Sequence, residues 1–216
     1  MEKKLINLYP ASCWNDTTPI GNGRIGASVY GCAYDERILI NHEALFNYSS
    51  TKEIPDISDC LGKVRSLMDE KKYLEAENYY TNALLEKNYK TSKGKFYPAF
   101  DIHMIFGTKG APYGYKRELD MENGVATILF GEDGDVWTRR AFVSSVDKYL
   151  FVQIKKGEPF NMIFALERHD VADDPNFRNC DTFESFSKDG CVYTHTVTEG
   201  RLDYSGIVKV LYTVKL

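Results

Sequence analysis

Pro19-Ile-Gly-Asn-Gly-Arg-Ile-Gly-Ala27 is the stretch on which the fold turns. Gly21-Asn-Gly-Arg-Ile-Gly26 is a literal G-x-G-x-x-G, and Glu43 falls roughly where a dinucleotide-binding fold places its ribose-binding acid. In that fold the glycines follow a buried strand and open a helix whose N-terminus receives a pyrophosphate. The flanks argue otherwise. Asp16-Thr-Thr-Pro-Ile20 ahead of it reads as a loop. Behind it, Ala27-Ser-Val-Tyr-Gly31, Asp35-Glu36 and Arg37-Ile-Leu-Ile40 read as strand, turn, strand, with no room for a helix of about three turns. The glycines therefore mark a tight turn at a strand entrance.

Working outward, the same strand grammar fills the chain after residue 94. Asn123-Gly124, Asp133-Gly134 and Asp189-Gly190 are hairpin-type pairs, suited to turns with positive φ at both central positions. Around them lie Val125–Phe130, Val136–Val143, Tyr149–Ile154 and Val192–Val197, rich in β-branched and aromatic residues. Leu150, Val152 and Ile154 share one face; Met162-Ile-Phe-Ala-Leu166, apolar throughout, reads as a strand covered on both sides. Residues 56–88 differ. Ile57, Leu61, Val64 and Met68 fall at helical spacing after a Pro55-Asp56 start signal, and Tyr73, Ala76, Tyr80 and Leu84 form a second stripe. With no 34-residue period, this is a helical hairpin inserted in a β framework and not a solenoid. The spacing predicts a mainly β fold, a large antiparallel β-sandwich with a two-helix insertion.

Composition narrows the function. At 216 residues the chain fits the ~200–250 residues common for a single all-β domain. A net charge of −4 argues against a nucleic-acid partner. The first ten residues carry only a broken apolar run, so no secretory signal is read and a cytoplasmic setting is expected. No stretch approaches the roughly 18–20 apolar residues of a membrane helix. Five cysteines (13, 32, 60, 180 and 191) without a C-x-x-C pair suggest reduced thiols, not a zinc site. Neither metal nor cofactor is expected. The strand-like run Gly206–Leu216 ends without a turn or polar tail, and an edge so left needs a partner strand. The expectation is one N-terminal sandwich domain over residues 1–216, continuing beyond them.

Five elements in order resemble glycoside hydrolase family 95, the inverting α-L-fucosidases with some α-L-galactosidases. The first comprises Trp14, Pro19–Ala27, Glu36-Arg37-Ile38 and Asn41-His-Glu-Ala-Leu45; the second Leu61-Gly-Lys-Val-Arg65 with Lys72-Tyr-Leu-Glu-Ala76. Tyr97-Pro-Ala-Phe-Asp-Ile102, Tyr115-Lys-Arg-Glu-Leu-Asp120 and Thr138-Arg-Arg-Ala-Phe-Val-Ser144 follow. Two departures stand out: Pro98-Ala-Phe-Asp101 lacks the family's glycine, and Phe46-Asn47 replaces its Trp-Ser-Gly. The resemblance implies a β-sandwich preceding an (α/α)6 barrel that holds the acid and base, which an inverting mechanism keeps about 6.5–9.5 Å apart. It therefore nominates no catalytic residue in this chain.

What remains are candidates for the rim of the sugar cleft: Trp14 as a stacking platform, with Asn22, Arg24, Asn41, Glu43 and Asp101. Arg24 has a structural reading beside this, a forked pair with a buried carboxylate, Asp101 or Glu43. His103 alternates with Asp101 and Ile105 and reads as a hydrogen-bonded strand histidine; Glu167-Arg-His-Asp170 with Asp173-Asp174 reads as a solvated loop. The implied role is a non-catalytic N-terminal domain of a fucosidase-like enzyme. Its expected partners are its own catalytic barrel, a fucosylated oligosaccharide in the whole enzyme and, as a further role, a second copy in a homodimer. An independent carbohydrate-binding module is the competing reading, drawn from 13% aromatic residues, most of which fall in strand patterns and read as core.

Overall fold

The computed structural model describes residues 3–47, 53–89, 95–107, 110–169, 182–198 and 202–212. In chain order the strands are β1 (Lys4–Asn7), β2 (Thr18–Gly21), β3 (Ile25–Val29), β4 (Asp35–His42), β5 (Phe46–Asn47), β6 (Lys95–Phe96), β7 (Phe100–Phe106), β8 (Tyr113–Asp120), β9 (Val125–Glu132), β10 (Asp135–Val143), β11 (Leu150–Lys155), β12 (Met162–Glu167), β13 (Thr182–Lys188), β14 (Cys191–Val197) and β15 (Asp203–Lys209). The helices are α1 (Leu61–Asp69) and α2 (Tyr73–Glu86). The chain divides into two compact units, Met1–Leu45 with Tyr97–Leu216, and Phe46–Phe96.

The larger unit is the sandwich. One five-stranded sheet runs β1-β8-β9-β10-β11, the other β12-β7-β4-β3-β2, and β13-β14-β15 form a third; every pairing is antiparallel. Alternation along each strand sends one side of both large sheets inward. Ile38, Ile40, Ile102 and Met104 meet Ala126, Ile128, Phe130, Trp137 and Ala141 in one buried cluster. Trp137 stacks on Phe130 at 5.7 Å and meets Phe106 edge-on at 5.3 Å. A ring of that size contributes about 2–3 kcal/mol by burial, and its indole N–H still needs an acceptor. Glu132 supplies it at 3.0 Å, and Lys156 Nζ reaches the same carboxylate at 2.8 Å.

Charge also crosses the interior. Glu36 on β4 is fully buried, and Arg139 on β10 is 1% exposed. Arg139 Nη1 donates to Glu36 Oε2 and, at 2.9 Å, to the Cys32 carbonyl; Nη2 donates to Ala33 O at 2.9 Å. The other Glu36 oxygen accepts the Gly31 N–H at 2.8 Å. Arg117 and Tyr115 on β8 grip the same β3–β4 loop through Tyr30 O at 3.2 Å and Gly31 O at 2.7 Å. Two strands of one sheet thus hold the backbone of a loop in the other. Gly31 has φ +78°, and a Cβ there would lie 2.7 Å from the Tyr115 hydroxyl, so only glycine fits. Burial pushes the Glu36 carboxyl up in pKa, against the pull of Arg139 and the Gly31 and Arg37 N–H groups.

Several expectations need correction. Of Asp16–Ile20, read as loop, residues 18–20 belong to strand β2, whose Thr18 and Ile20 are buried under the sheet. Asp133-Gly134 and Asp189-Gly190 are two-residue turns with both φ positive, as expected. Asn123-Gly124 instead closes a four-residue loop in which only Gly124 is left-handed, because the Asp120 carboxylate takes the Glu122 and Asn123 N–H groups. Met162–Leu166 is covered on one side only: Leu166 is 2% exposed, but Ile163 points outward at the sheet edge and is 68% exposed.

In the smaller unit β5 pairs with β6, and a 3-10 turn (Ser58–Cys60) leads into the helical hairpin. Just ahead of it, Asp56 makes an Asx-type turn by accepting the Ser58 N–H at 2.9 Å. The apolar stripes are narrower than predicted. Cys60, Leu67, Ala76 and Leu84 are buried, whereas Leu61, Met68, Tyr73 and Tyr80 are exposed. Two short helices cover little more than one row of each other's side chains.

Arg139→Met leaves Glu36 buried without its cation and is expected to cost about 3–5 kcal/mol in urea unfolding. The double variant Glu36→Met/Arg139→Met should still fall about 2 kcal/mol short of wild type, because Gly31 N–H and the Cys32 and Ala33 carbonyls lose their partners. A double variant as stable as wild type would show that the loop does not need the pair.

Candidate functional site

The glycine segment folds as a β-hairpin. Gly21 pairs with Gly26, and the Asn22 N–H donates to Ile25 O at 3.2 Å, leaving Gly23-Arg24 as a two-residue loop. Gly23 has φ +89° while Arg24 stays in the ordinary region, the pattern of a type II′ turn. Asn22 organises it. Its Oδ1 accepts the Arg24 and Ile25 N–H groups at 3.0 and 2.9 Å, and its Nδ2 donates 3.0 Å to Ser144 O in the turn between β10 and β11. One amide ties the tips of two hairpins from opposite sheets. No phosphate cradle is formed, because antiparallel pairing continues straight through the motif.

Arg24 finds one of its two expected partners in a different setting. Nε lies 3.0 Å from Glu43 Oε1, and the Glu43 N–H donates to Arg24 O at 2.8 Å. The side chains are 58% and 50% exposed, so this is a surface pair through one nitrogen, not a forked pair with a buried carboxylate. Asn41 sits opposite Gly26 on β4, its Oδ1 3.1 Å from the His42 N–H. Trp14 lies in a 3-10 turn (Trp14–Asp16) at the start of β2, with its carbonyl accepting the Thr17 N–H, and is 59% exposed. The length of β2, roughly 10 Å, separates that turn from the Gly23-Arg24 tip.

Asp101 belongs elsewhere, to an ionic cluster on the outer face of the second sheet. It is completely buried; Arg37 Nη1 reaches its Oδ2 at 2.8 Å and His169 Nδ1 its Oδ1 at 2.9 Å. Beside it, His103 lies between Asp35 Oδ1 at 2.6 Å and Glu167 Oε1 at 3.0 Å. Glu167 and His169 were expected in a solvated loop, yet both are built into this cluster; Asp170, Asp173 and Asp174 lie outside the described residues. Sequence reasoning also missed Arg37. Its signal was the alternation Asp35, Arg37 on one side of a strand whose other side carries Ile38 and Ile40. A cavity of about 370 Å³ adjoins the cluster, lined by Ser12, Tyr30, Cys32, Asp35, Arg37 and His169.

Carboxylates facing both ring nitrogens favour a doubly protonated His103. Burial opposes that charge, but the bonds to Glu167 and Asp35 and their negative charges outweigh it and lift the pKa above 6.5. The cluster is therefore saturated: His103 keeps no nitrogen for a substrate, and Asp101 is sealed by two cationic or donor side chains. Among the described residues no group of three or more His, Cys, Asp or Glu side chains is arranged to hold a metal, and no helix is long and apolar enough to cross a membrane.

Asn22→Ala removes three hydrogen bonds of a half-buried amide and should cost about 1–2 kcal/mol in chemical unfolding. Arg24→Ala breaks an exposed pair and should cost less than about 1 kcal/mol. The reverse ranking would refute the assignment. Because the His103 pKa is raised on folding, its stabilisation is complete below about pH 6.5 and fades as pH rises through the higher folded value. The melting-temperature gap between wild type and His103→Gln should accordingly be widest near pH 6 and narrow by about pH 9; a gap that does not change with pH would contradict it.

The family model "Glycosyl hydrolase family 65, N-terminal domain" matches residues 5–213. "Alpha-L-fucosidase 2" of Arabidopsis thaliana is 28% identical over 169 residues, covering 74% of this chain and 19% of the relative. The chain thus spans about a fifth of that relative's length. The resemblance to fucosidases drawn from short motifs is met by a relative that is one, and the expectation of an N-terminal domain by a family model of one. The chain belongs to the glycosyl hydrolase family 65 N-terminal domain family.

Proposed function

We propose that this domain is non-catalytic, that it supports the catalytic barrel of an inverting α-L-fucosidase-like enzyme, and that the tip formed by Asn22, Gly23 and Arg24 shapes the rim of the substrate cleft. The observation that carries the reading is the bond from Asn22 to Ser144, which holds one hairpin tip rigidly against another while leaving Arg24 exposed. A loop fixed at its base and charged at its end is suited to contact a sugar hydroxyl without supplying a proton. The saturated ionic cluster supports the same division of labour. Its carboxylates and imidazoles are engaged with one another, so acid and base are to be sought in the remainder of the enzyme.

The test uses the intact enzyme with an aryl α-L-fucoside. Arg24→Ala should raise KM by about three- to tenfold with kcat within twofold and melting unchanged, the signature of a lost contact made equally in ground and transition states. An unchanged KM would remove Arg24 from the rim. The 216-residue chain alone should turn over no aryl fucoside, and measurable turnover would overturn the non-catalytic assignment.

A further inference from the structure

The outer face of the first sheet carries side chains that the fold does not use. Strand β11 is the edge of that sheet, and along its pairing with β10, Phe142 stands opposite Phe151 and Arg140 opposite Gln153. The two phenyl rings stack with centroids 5.2 Å apart and planes 18° from parallel. Even so, Phe142 is 36% and Phe151 40% exposed. Arg140 and Gln153 are exposed, and among the described residues neither side chain has a hydrogen-bond partner. With Val125 these residues line a depression of about 490 Å³.

We propose that this patch is a carbohydrate-binding site that takes a pyranose ring of a neutral oligosaccharide. The C–H face of the ring lies on the Phe142–Phe151 pair, while its hydroxyls bond the Arg140 guanidinium and the Gln153 amide. Three features select this ligand over others. Exposed aromatic surface beside planar, unpaired donors and acceptors suits a molecule with an apolar face and a hydroxylated edge. The volume falls within the ~300–1,000 Å³ of ordinary ligand sites, whereas four side chains are far short of the ~1,000 Å² of a stable protein interface. A nucleotide would stack as well, but its phosphates meet one arginine on a chain whose net charge is −4. The site does not depend on the Arg24 tip reaching the cleft, and each can fail without the other.

The experiment is a calorimetric and amide-shift titration of the 216-residue chain with 2′-fucosyllactose and with maltotriose. Binding in the millimolar range or tighter is expected for at least one of them, with shifts centred on Phe142, Phe151 and Gln153. Phe151→Ala should weaken it by about tenfold or more, and Arg140→Ala/Gln153→Ala by about fivefold, with melting unchanged in the double variant. Should Phe151→Ala fail to fold, the double variant decides, since it leaves the ring pair in place. No saturation with either sugar, shifts centred elsewhere, binding unaltered in these variants, or a Phe151-dependent dimer without sugar binding would each overturn the proposal.

Discussion

A guanidinium and a carboxylate facing each other across a protein interior are costly to desolvate, and the Glu36–Arg139 pair is tolerable only because most of the polar groups around it are hydrogen-bonded. That requirement shapes what surrounds it. Gly31 must be glycine, since its φ is positive and its Cα lies under Tyr115. The loop carbonyls at 30, 31, 32 and 33 must turn inward to meet Arg117, Tyr115 and Arg139. Two nitrogens, Arg117 Nε and Arg139 Nε, still lack acceptors; Arg139 has its guanidinium 4.6 Å from the centre of the Phe106 ring. Apolar residues alone would let the two sheets slide by a strand step at modest cost. The charged pair admits one alignment, so its chief contribution is to register.

That alignment explains why the glycine-rich segment looks as it does. Once β4 is anchored by Glu36, β3 and β2 follow by hairpin pairing, and the Gly23-Arg24 turn comes to the end of the sheet beside the Ser144 turn. Asn22 then has an acceptor in reach from the opposite sheet. The motif is thus a device for joining hairpin tips, and its likeness to a phosphate loop is a coincidence of glycine spacing. Function, by contrast, does not follow from the sandwich, which serves many unrelated proteins. It is read from which polar groups are left uncommitted.

Much of the sheet was legible because its signals are local. Asp133-Gly134 and Asp189-Gly190 set two-residue turns by backbone preference alone, and β3, β4, β9 and β10 show the alternation expected of half-buried strands. Strand β2 was hidden because Pro19 and two threonines mimic a loop, and only pairing with β3 reveals its buried side. The helical stripes were overdrawn, since periodicity shows which residues share a face but not how wide a face the neighbour covers. Glu36 and Arg139 were the most telling misses. Each occupies an inward position in an otherwise apolar alternation, Glu36-Ile38-Ile40 and Trp137-Arg139-Ala141, and opposite charges at core positions are a readable sign of a buried pair. Asp101 was singled out, but its partners Arg37 and His169 are 64 and 68 residues away in sequence, beyond any spacing rule.

Hydrogen exchange of one amide tests the central claim most directly. The Gly31 N–H is buried, lies in a loop, and has the Glu36 carboxylate as its acceptor. If the charged pair locks the β3–β4 loop to the opposite sheet, that proton can exchange only when the sandwich unfolds. Its opening free energy and urea dependence should then match those of the core amides of Ile38 and Ile128. Exchange of Gly31 through a smaller opening, insensitive to urea while Ile38 and Ile128 stay protected, would show that the loop moves independently and that the pair does not hold the sheets in place.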